Sequence, residues 1–398
     1  MRLERREFLA TAGAALAGTA LGCERATPDD LDAFLEERMA SLHIPGIAAM
    51  LVKRGEILWS GSYGFADLEK RIPMGLDTIQ NVASISKTFT ATALMQLLEE
   101  GKLRLDEAVD GHLPFPVRNP RYPDDAITFR HLLTHTSSID DSVSYAHNYV
   151  CGDPEVSLAD WVEGYFTPGG PFYDAAENFH DHRPGESYAY NNVAFGLLAR
   201  LVEVLSGESF PDYCSTRIFE PLSMKETSWF VAGLDPSKQA VPYTWRTDGE
   251  LRGPTWGGEP QGVIGEGAAV DGFLANCLYN HPNYPDGFLR TSVRQLSRYL
   301  MAYLDNGAAI LKPETVDEML RVHSEEIWGL SWYVRDVSGR QFWGHGGADP
   351  GVNTRIDLNR EDGVGAIVFA NTFLDSGAAE MRELNSRILE RAYTEEVS

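Results

Sequence analysis

The sequence predicts an α+β fold in which one sheet is assembled from both ends of the chain and a mainly helical region is inserted between them. Three observations lead there. Stretches rich in β-branched and aromatic residues, punctuated by Gly and Asp, lie near the N-terminus and again after residue 325. From about residue 105 to residue 285, helical periodicity and long loops dominate. Strands and helices do not alternate one for one, as βαβ units would require.

The elements follow in chain order. In DLDAFLEERMASL (30–42), Leu31, Phe34, Leu35, Met39 and Leu42 recur at helical spacing, and Pro45-Gly46 break the pattern. IAAMLVKRGEILWSGSYGFAD reads as two strands joined at Arg54-Gly55. NVASISKTFTATALMQLLEEGKLRLDE, from Asn81, has the surface pattern of an ordinary amphipathic helix, ended by Gly101. TFRHLLTHTSSI is a short helix running into a loop, and YNNVAFGLLARLVEVLSG is a strong amphipathic helix closed by Gly207. DGFLRTSVRQLSRYLMAYLDNG is another, with Ser292 as its cap and Asn306-Gly307 as its stop. IWGLSWYVRD, QFWGHGG, NTRIDLNRED and GVGAIVFAN then read as strands, and AAEMRELNSRILERAYTEE as a final helix.

The chain has 398 residues, and its formal charge of -24 argues against nucleic acid, which needs clustered Lys and Arg. At the N-terminus, Arg5 and Arg6 precede an uncharged run from Phe8 to Gly22. The run is too short to span a bilayer comfortably, and RRxFL resembles a twin-arginine export signal. Ala20-Leu21-Gly22-Cys23 resembles a lipoprotein cleavage box, which would put a lipid anchor on Cys23. The expectation is therefore an exported protein: periplasmic, secreted or lipid-anchored. Residues 1–28 form the signal and 29–398 one catalytic domain, with an α/β part at about 29–83 and 286–398 and a helical part at about 84–285. Cys151, Cys214 and Cys277 leave room for one disulfide, and the sequence does not select the pair.

Three segments carry chemistry. Of the seven lysines, only Lys87 has a serine, Ser84, three residues before it. On a helix the two share a face, and a desolvated lysine can serve as base toward the hydroxyl. Tyr190-Asn191-Asn192 stands before a helix; a tyrosine can relay a proton, and an asparagine offers both donor and acceptor. His345-Gly346-Gly347 would let an edge strand approach a ligand closely, with the N–H groups of Ala348 and Ser84 aimed at a developing oxyanion.

S-x-x-K at a helix start, Y-x-N about a hundred residues later and H-G-G on a late strand together resemble the serine β-lactamase and penicillin-binding-protein superfamily. The likeness is greatest to its class C β-lactamase branch, which also holds esterases, D-aminopeptidases and carboxypeptidases. HLLTHTSSI, PGESYAYNN and YPDGFLRTSVRQLSRYL frame it, and it spans residues 30–390. It implies a β-lactamase/transpeptidase-like fold: an antiparallel sheet flanked by helices, with the site between sheet and helical region. It also implies roles. Ser84 matches the acylated nucleophile, Lys87 its activator, Tyr190 the proton shuttle and activator of the hydrolytic water, and Asn192 the asparagine of Y-x-N. Ser84 and Ala348, beside Gly347, would supply the oxyanion-hole N–H groups, and no cofactor is implied.

Two positions depart from the family pattern. Ser138 stands where a glycine is usual, in a supporting turn. His345 stands where true β-lactamases have the lysine of K-T-G. A histidine is mostly neutral near pH 7, so a substrate carboxylate loses attraction. This favours a serine hydrolase acting through an acyl-enzyme on a short-chain ester or a D-amino-acid peptide. A true class C-like β-lactamase is the alternative within the family, and an inactive exported binding protein the alternative outside it. His131, His135, His180 and His182 do not fit a zinc-protease or metallo-β-lactamase pattern and read as loop histidines. No G-x-S-x-G marks an α/β-hydrolase. Trp256-Gly257-Gly258 reads equally as pocket lining or surface loop.

Overall fold

Seven of the eight residues of Gly46–Lys53 (β1) are buried, because this strand lies inside a sheet covered on both faces. Its side chains alternate between two cores. Ile47, Ala49 and Leu51 belong to one hydrophobic cluster, and Ala48, Met50 and Val52 to the other. A strand covered on both sides reads as one continuous apolar run, as IAAMLV does.

The computed structural model describes residues 30–247, 250–251, 253–256, 259–260, 263–265, 267–324, 327–374 and 378–394. The expected export signal with Cys23 lies outside them, as do Gly257 and Gly258. Helix α1 (Asp30–Leu42) precedes β1, and β2 (Glu56–Asp67) and β3 (Ile72–Pro73) follow it. The C-terminal part supplies β4 (Tyr333–Val337), β5 (Arg340–Asp349), β6 (Val352–Asn359) and β7 (Val364–Ala370). The sheet order is β4-β5-β6-β7-β1-β2-β3, with every neighbouring pair antiparallel. The two chain ends meet at β1 and β7, where Ile47 faces Ala370 and Lys53 faces Val364. The fold is thus the expected α+β, β-lactamase/transpeptidase-like arrangement.

The C-terminal helix Ala378–Thr394 buries Leu384 and Ile388 against the Ile47 face of the sheet, together with Leu31 and Leu35 of α1. The opposite face packs on Ser86–Glu99 (α2) and Val293–Leu304, through Phe89, Leu296 and Leu300. Ser292 caps the latter helix by accepting the Gln295 N–H. The sequence pattern made α2 amphipathic, but every residue from Ser86 to Met95 is buried. Its threonines are satisfied internally: Thr88 donates to the Ile85 carbonyl and Thr90 to the Pro285 carbonyl, each at 2.8 Å.

Three expectations need correction. The middle of the chain is not mainly helix and loop throughout. A four-stranded sheet is formed by Tyr243–Thr247, Glu250–Leu251, Ala268–Val270 and Phe273–Ala275. These strands are too short for alternation to be legible. IWGLSWYVRD is strand only from Tyr333 onward; Ser331 sits at φ 65°, which interrupts extended backbone before it. β5 is not an edge strand, since β4 covers it, but β4 reaches only Gly344. The half that holds His345 to Asp349 is therefore paired on one side alone within the sheet, with β6.

The disulfide joins Cys151 to Cys277, 126 residues apart, beside the Val150–Cys151 and Tyr279–Asn280 pairing. Cys214 is free and buried.

Candidate active site

The turn that presents Ser84 is strained and held from several sides. Ala83 has φ 46°, the left-handed region that non-glycine residues avoid. The Asn81 Oδ1 accepts the Ala83 N–H at 2.8 Å, and Thr354 of β6 donates to the Val82 carbonyl at 2.7 Å. Gly347 shows why β5 is glycine-rich. A Cβ there would lie 2.3 Å from the Val82 carbonyl oxygen, so only glycine lets the strand press against this turn. Ser84 and Ala348 border the same cavity in consequence.

Lys87, the second residue of α2, is fully buried, with Nζ 3.0 Å from the Ser84 Oγ. Its other partners are the Asn192 Oδ1 at 2.7 Å and the Asp286 carbonyl at 2.9 Å. Both are acceptors. They take two N–H hydrogens and leave the third direction of the nitrogen facing Ser84. Burial lowers the Lys87 pKa against the pull of Asp286, Asp141 and Asp349, which brings the neutral amine within reach. In that form, a lone pair on Nζ would face the Ser84 hydroxyl.

Asn192 is fixed in turn. Its Nδ2 donates to Asp141 Oδ2 at 2.7 Å, which settles which amide end faces Lys87. Asp141 also accepts the N–H groups of Asn192 and Val193, at the start of the helix Val193–Ser206. Tyr190 lies over this group. Its ring stands 5.0 Å from the Lys87 Nζ and stacks on His135 at 4.3 Å. Burial pushes its phenol well above the usual value, against a hydrogen bond with Ser84, so the hydroxyl stays protonated.

His345 is buried, and burial followed by the Lys87 charge brings its pKa down to about 3. Its Nδ1 lies 2.6 Å from the Gly346 carbonyl, so that nitrogen carries the hydrogen and donates it. Nε2 is thus a bare acceptor, and it has no partner. The neutral histidine expected from sequence is neutral with a defined tautomer.

A cavity of about 400 Å³ opens beside Ser84, walled by Tyr188, Tyr190, Trp328, Tyr333 and His345. Arg355 also lines it, but its guanidinium is bonded to Asp357 through Nε and Nη2 and donates to the Tyr333 hydroxyl through Nη1. Exposed Arg382 stands at its rim.

Ser84, Lys87, Tyr190, Asn192, His345, Gly347 and Ala348 therefore meet in one place, although they come from three distant segments. The histidines weighed for a metal do not form one group: His131 turns back on the Thr128 N–H, His135 packs on Tyr190, and His180 stacks on His182 at 5.4 Å beside Asp140. Among the described residues no group of three or more His, Cys, Asp or Glu could hold a metal ion. Ser138 has φ 62°, so the turn keeps the left-handed conformation that glycine would favour. Trp256 lies in the two-residue strand Thr255–Trp256. Sequence reasoning missed Asp141, Asp286, Asp349, Tyr145, Tyr149, Trp328 and Tyr333. Asp286 stood inside a quoted segment, PDGFLRTS, with no motif to mark it.

A family model described as Beta-lactamase matches residues 31–390. Protein flp of Staphylococcus aureus (strain NCTC 8325 / PS 47) is 23% identical over 370 residues, which cover 90% of this chain and 66% of that protein. The chain thus spans just under two thirds of that relative's length. Penicillin-binding protein 4* of Bacillus subtilis (strain 168) is 25% identical over 341 residues, 81% of this chain and 67% of that protein. Among solved structures, the D-amino acid amidase of Ochrobactrum anthropi SV3 superposes with a TM-score of 0.75 at 21% identity, over 92% of this chain and 99% of that one. The octameric penicillin-binding protein homologue from Pyrococcus abyssi gives 0.68 at 26% identity, over 91% and 76%.

Proposed function

The chain belongs to the beta-lactamase family, and on that premise we propose that it is a serine hydrolase that works through an acyl-enzyme on Ser84. The observation that carries this reading is the placement of Lys87, with two acceptors holding its hydrogens and its third direction on Ser84 Oγ at 3.0 Å. The neutral amine takes the Ser84 proton as Oγ attacks a carbonyl carbon. The oxyanion is met by the backbone N–H groups of Ser84 and Ala348. The proton then reaches the leaving group through the neutral Tyr190 hydroxyl, which accepts one hydrogen as it gives up the other.

The substrate is a short-chain ester or an amide of the D-amino-acid type. The cavity has aromatic walls at Tyr188, Tyr190, Trp328 and Tyr333, and the unpartnered His345 Nε2 can accept a hydrogen bond but attracts no carboxylate. A group bearing N–H or O–H fits that wall better than the carboxylate of a β-lactam. The solved D-amino acid amidase is similar in fold, which agrees with this choice. The Cys151–Cys277 disulfide favours an oxidising compartment, in keeping with an export signal.

The test is a fluorophosphonate probe followed by intact mass, with turnover of p-nitrophenyl acetate and a D-alanine amide. One adduct on Ser84, lost together with turnover in a folded Ser84→Ala protein, is the expected result. A folded wild-type chain that takes no adduct and turns over neither substrate would show a binding protein instead. Tyr190→Phe lowers kcat far more than it raises KM, because a relay acts in the transition state.

A further inference from the structure

Ser84 and Ala348 border a second space besides the aromatic cavity. It is narrow, about 10 Å³, and its other walls are Tyr145, Tyr149, Asn192, Asp286 and Asp349 with Gly287 and Phe288. That volume suits one water molecule, and the walls are rich in hydroxyl, amide and carboxyl groups, as a bound water needs.

Asp286 is the group there with an unmet demand. Its Oδ2 accepts the Tyr145 hydroxyl at 2.7 Å and lies 3.7 Å from the Lys87 Nζ. Its Oδ1 is buried and receives no hydrogen bond, although Asn283 is near enough to favour the charged form. A buried carboxylate oxygen without a donor is unfavourable, and a water in the adjoining space supplies the donor.

We infer that this space seats the hydrolytic water and that Asp286 is the base that activates it. The inference rests on the acyl-enzyme reading above. Asp286 takes a proton from the water as the water oxygen bonds to the acyl carbonyl carbon. The tetrahedral intermediate collapses, and the bond from carbon to Ser84 Oγ breaks. Lys87 gives a proton to Ser84 Oγ, 3.0 Å away, and takes the Asp286 proton in its place when Oδ2, 3.7 Å from Nζ at rest, comes within hydrogen-bond reach. The products are the carboxylic acid and free serine, so atoms and charge balance. Tyr190 is the other group at hand, but it carries its proton throughout and is no standing base. Burial brings the Asp286 carboxyl up to about 6, a strength that suits a base working near neutral pH.

Two variants test this in the full chain, with p-nitrophenyl acetate, stopped-flow kinetics and intact mass. Asp286→Asn removes the base. Gly287→Ala leaves Asp286 in place and adds a methyl beside the space; its Cβ would meet only the Ala83 carbonyl carbon, at 4.0 Å. In Gly287→Ala the acylation burst stays within about threefold of wild type, and in both variants deacylation slows more than acylation does, by roughly 100-fold in Asp286→Asn. The acetylated protein therefore accumulates, 42 Da heavier on the basis of acetyl-for-hydrogen exchange, roughly as stoichiometric acylation requires. A residue that merely anchored Lys87 would slow acylation instead, and that outcome overturns the assignment. Wild-type deacylation in both variants also overturns it and leaves the nucleophile reading standing. If Asp286→Asn does not fold, Gly287→Ala decides alone. A wild-type protein that never acylates removes both readings together.

Discussion

The Asn192 Oδ1 lies 2.7 Å from the Lys87 Nζ, and the other end of the same amide is held by Asp141 at 2.7 Å. The side chain of Asn192 is a strut between a helix-capping carboxylate and the proposed base. Asn192→Ala frees one Lys87 hydrogen to point at Ser84 and leaves Asp141 with one donor fewer, the Asn191 Nδ2 and the backbone N–H groups of residues 192 and 193 remaining. Acylation of Ser84 by p-nitrophenyl acetate should fall roughly 10- to 100-fold, with the fold intact by circular dichroism, since one charge-assisted hydrogen bond is worth about that much. Acylation at the wild-type rate would remove Asn192 from the positioning of Lys87.

On the proposed reading, His345 sets which substrate charge the cavity accepts. His345→Lys places an ammonium where a neutral acceptor now stands. Turnover of a carboxylate-bearing cephalosporin should rise about tenfold or more in kcat/KM relative to a neutral ester, as roughly 1.4 kcal/mol of added attraction would give. An unchanged ratio would mean that substrates do not reach this wall.

Acid should weaken the fold at its buried histidines. His281 donates Nε2–H to the Tyr145 carbonyl at 2.9 Å and accepts the Asn283 N–H on Nδ1 at 2.8 Å, and burial takes its pKa down to about 3. Below its unfolded value near 6.5, the unfolded chain binds a proton there that the folded chain refuses. Stability from this site is therefore full above that pH and is lost as pH falls toward 3. Asp141, Asp286 and Asp349 act in the opposite sense, because burial raises their folded values above the unfolded one. A comparison with His281→Gln isolates the histidine. Between pH 6 and 4 the wild type should lose about 1.4 kcal/mol per pH unit more than the variant in urea unfolding. Parallel curves would mean that His281 is charged in the fold.

The disulfide closes a loop of 126 residues. Its reduction should lower the unfolding free energy by about 4–5 kcal/mol, on the loop-entropy estimate for a closure of that length. Denaturant midpoints with and without dithiothreitol measure this, with Cys151→Ala as the control that reductant no longer affects.

The sheet was legible because its strands are long and buried on both faces, so IAAMLV and GVGAIVFAN announce themselves. The site motifs were legible because Ser84, Lys87, Tyr190 and His345 stand beside residues that mark them. Asp286 and Asp141 gave no such signal. Each is one acidic residue among 58 in the sequence, and only the packing of α2 against their loops makes them partners of Lys87. The short strands between 243 and 275 were illegible for another reason: two or three residues cannot show a period of two.

The pairing of β1 with β7 joins residues more than three hundred positions apart, Ile47 with Ala370. A growing chain cannot close this sheet until its last strand has left the ribosome. Until then β1, paired with β2 on one side, exposes its other edge and its apolar faces, so the nascent protein depends on chaperones or on delayed collapse to avoid aggregation.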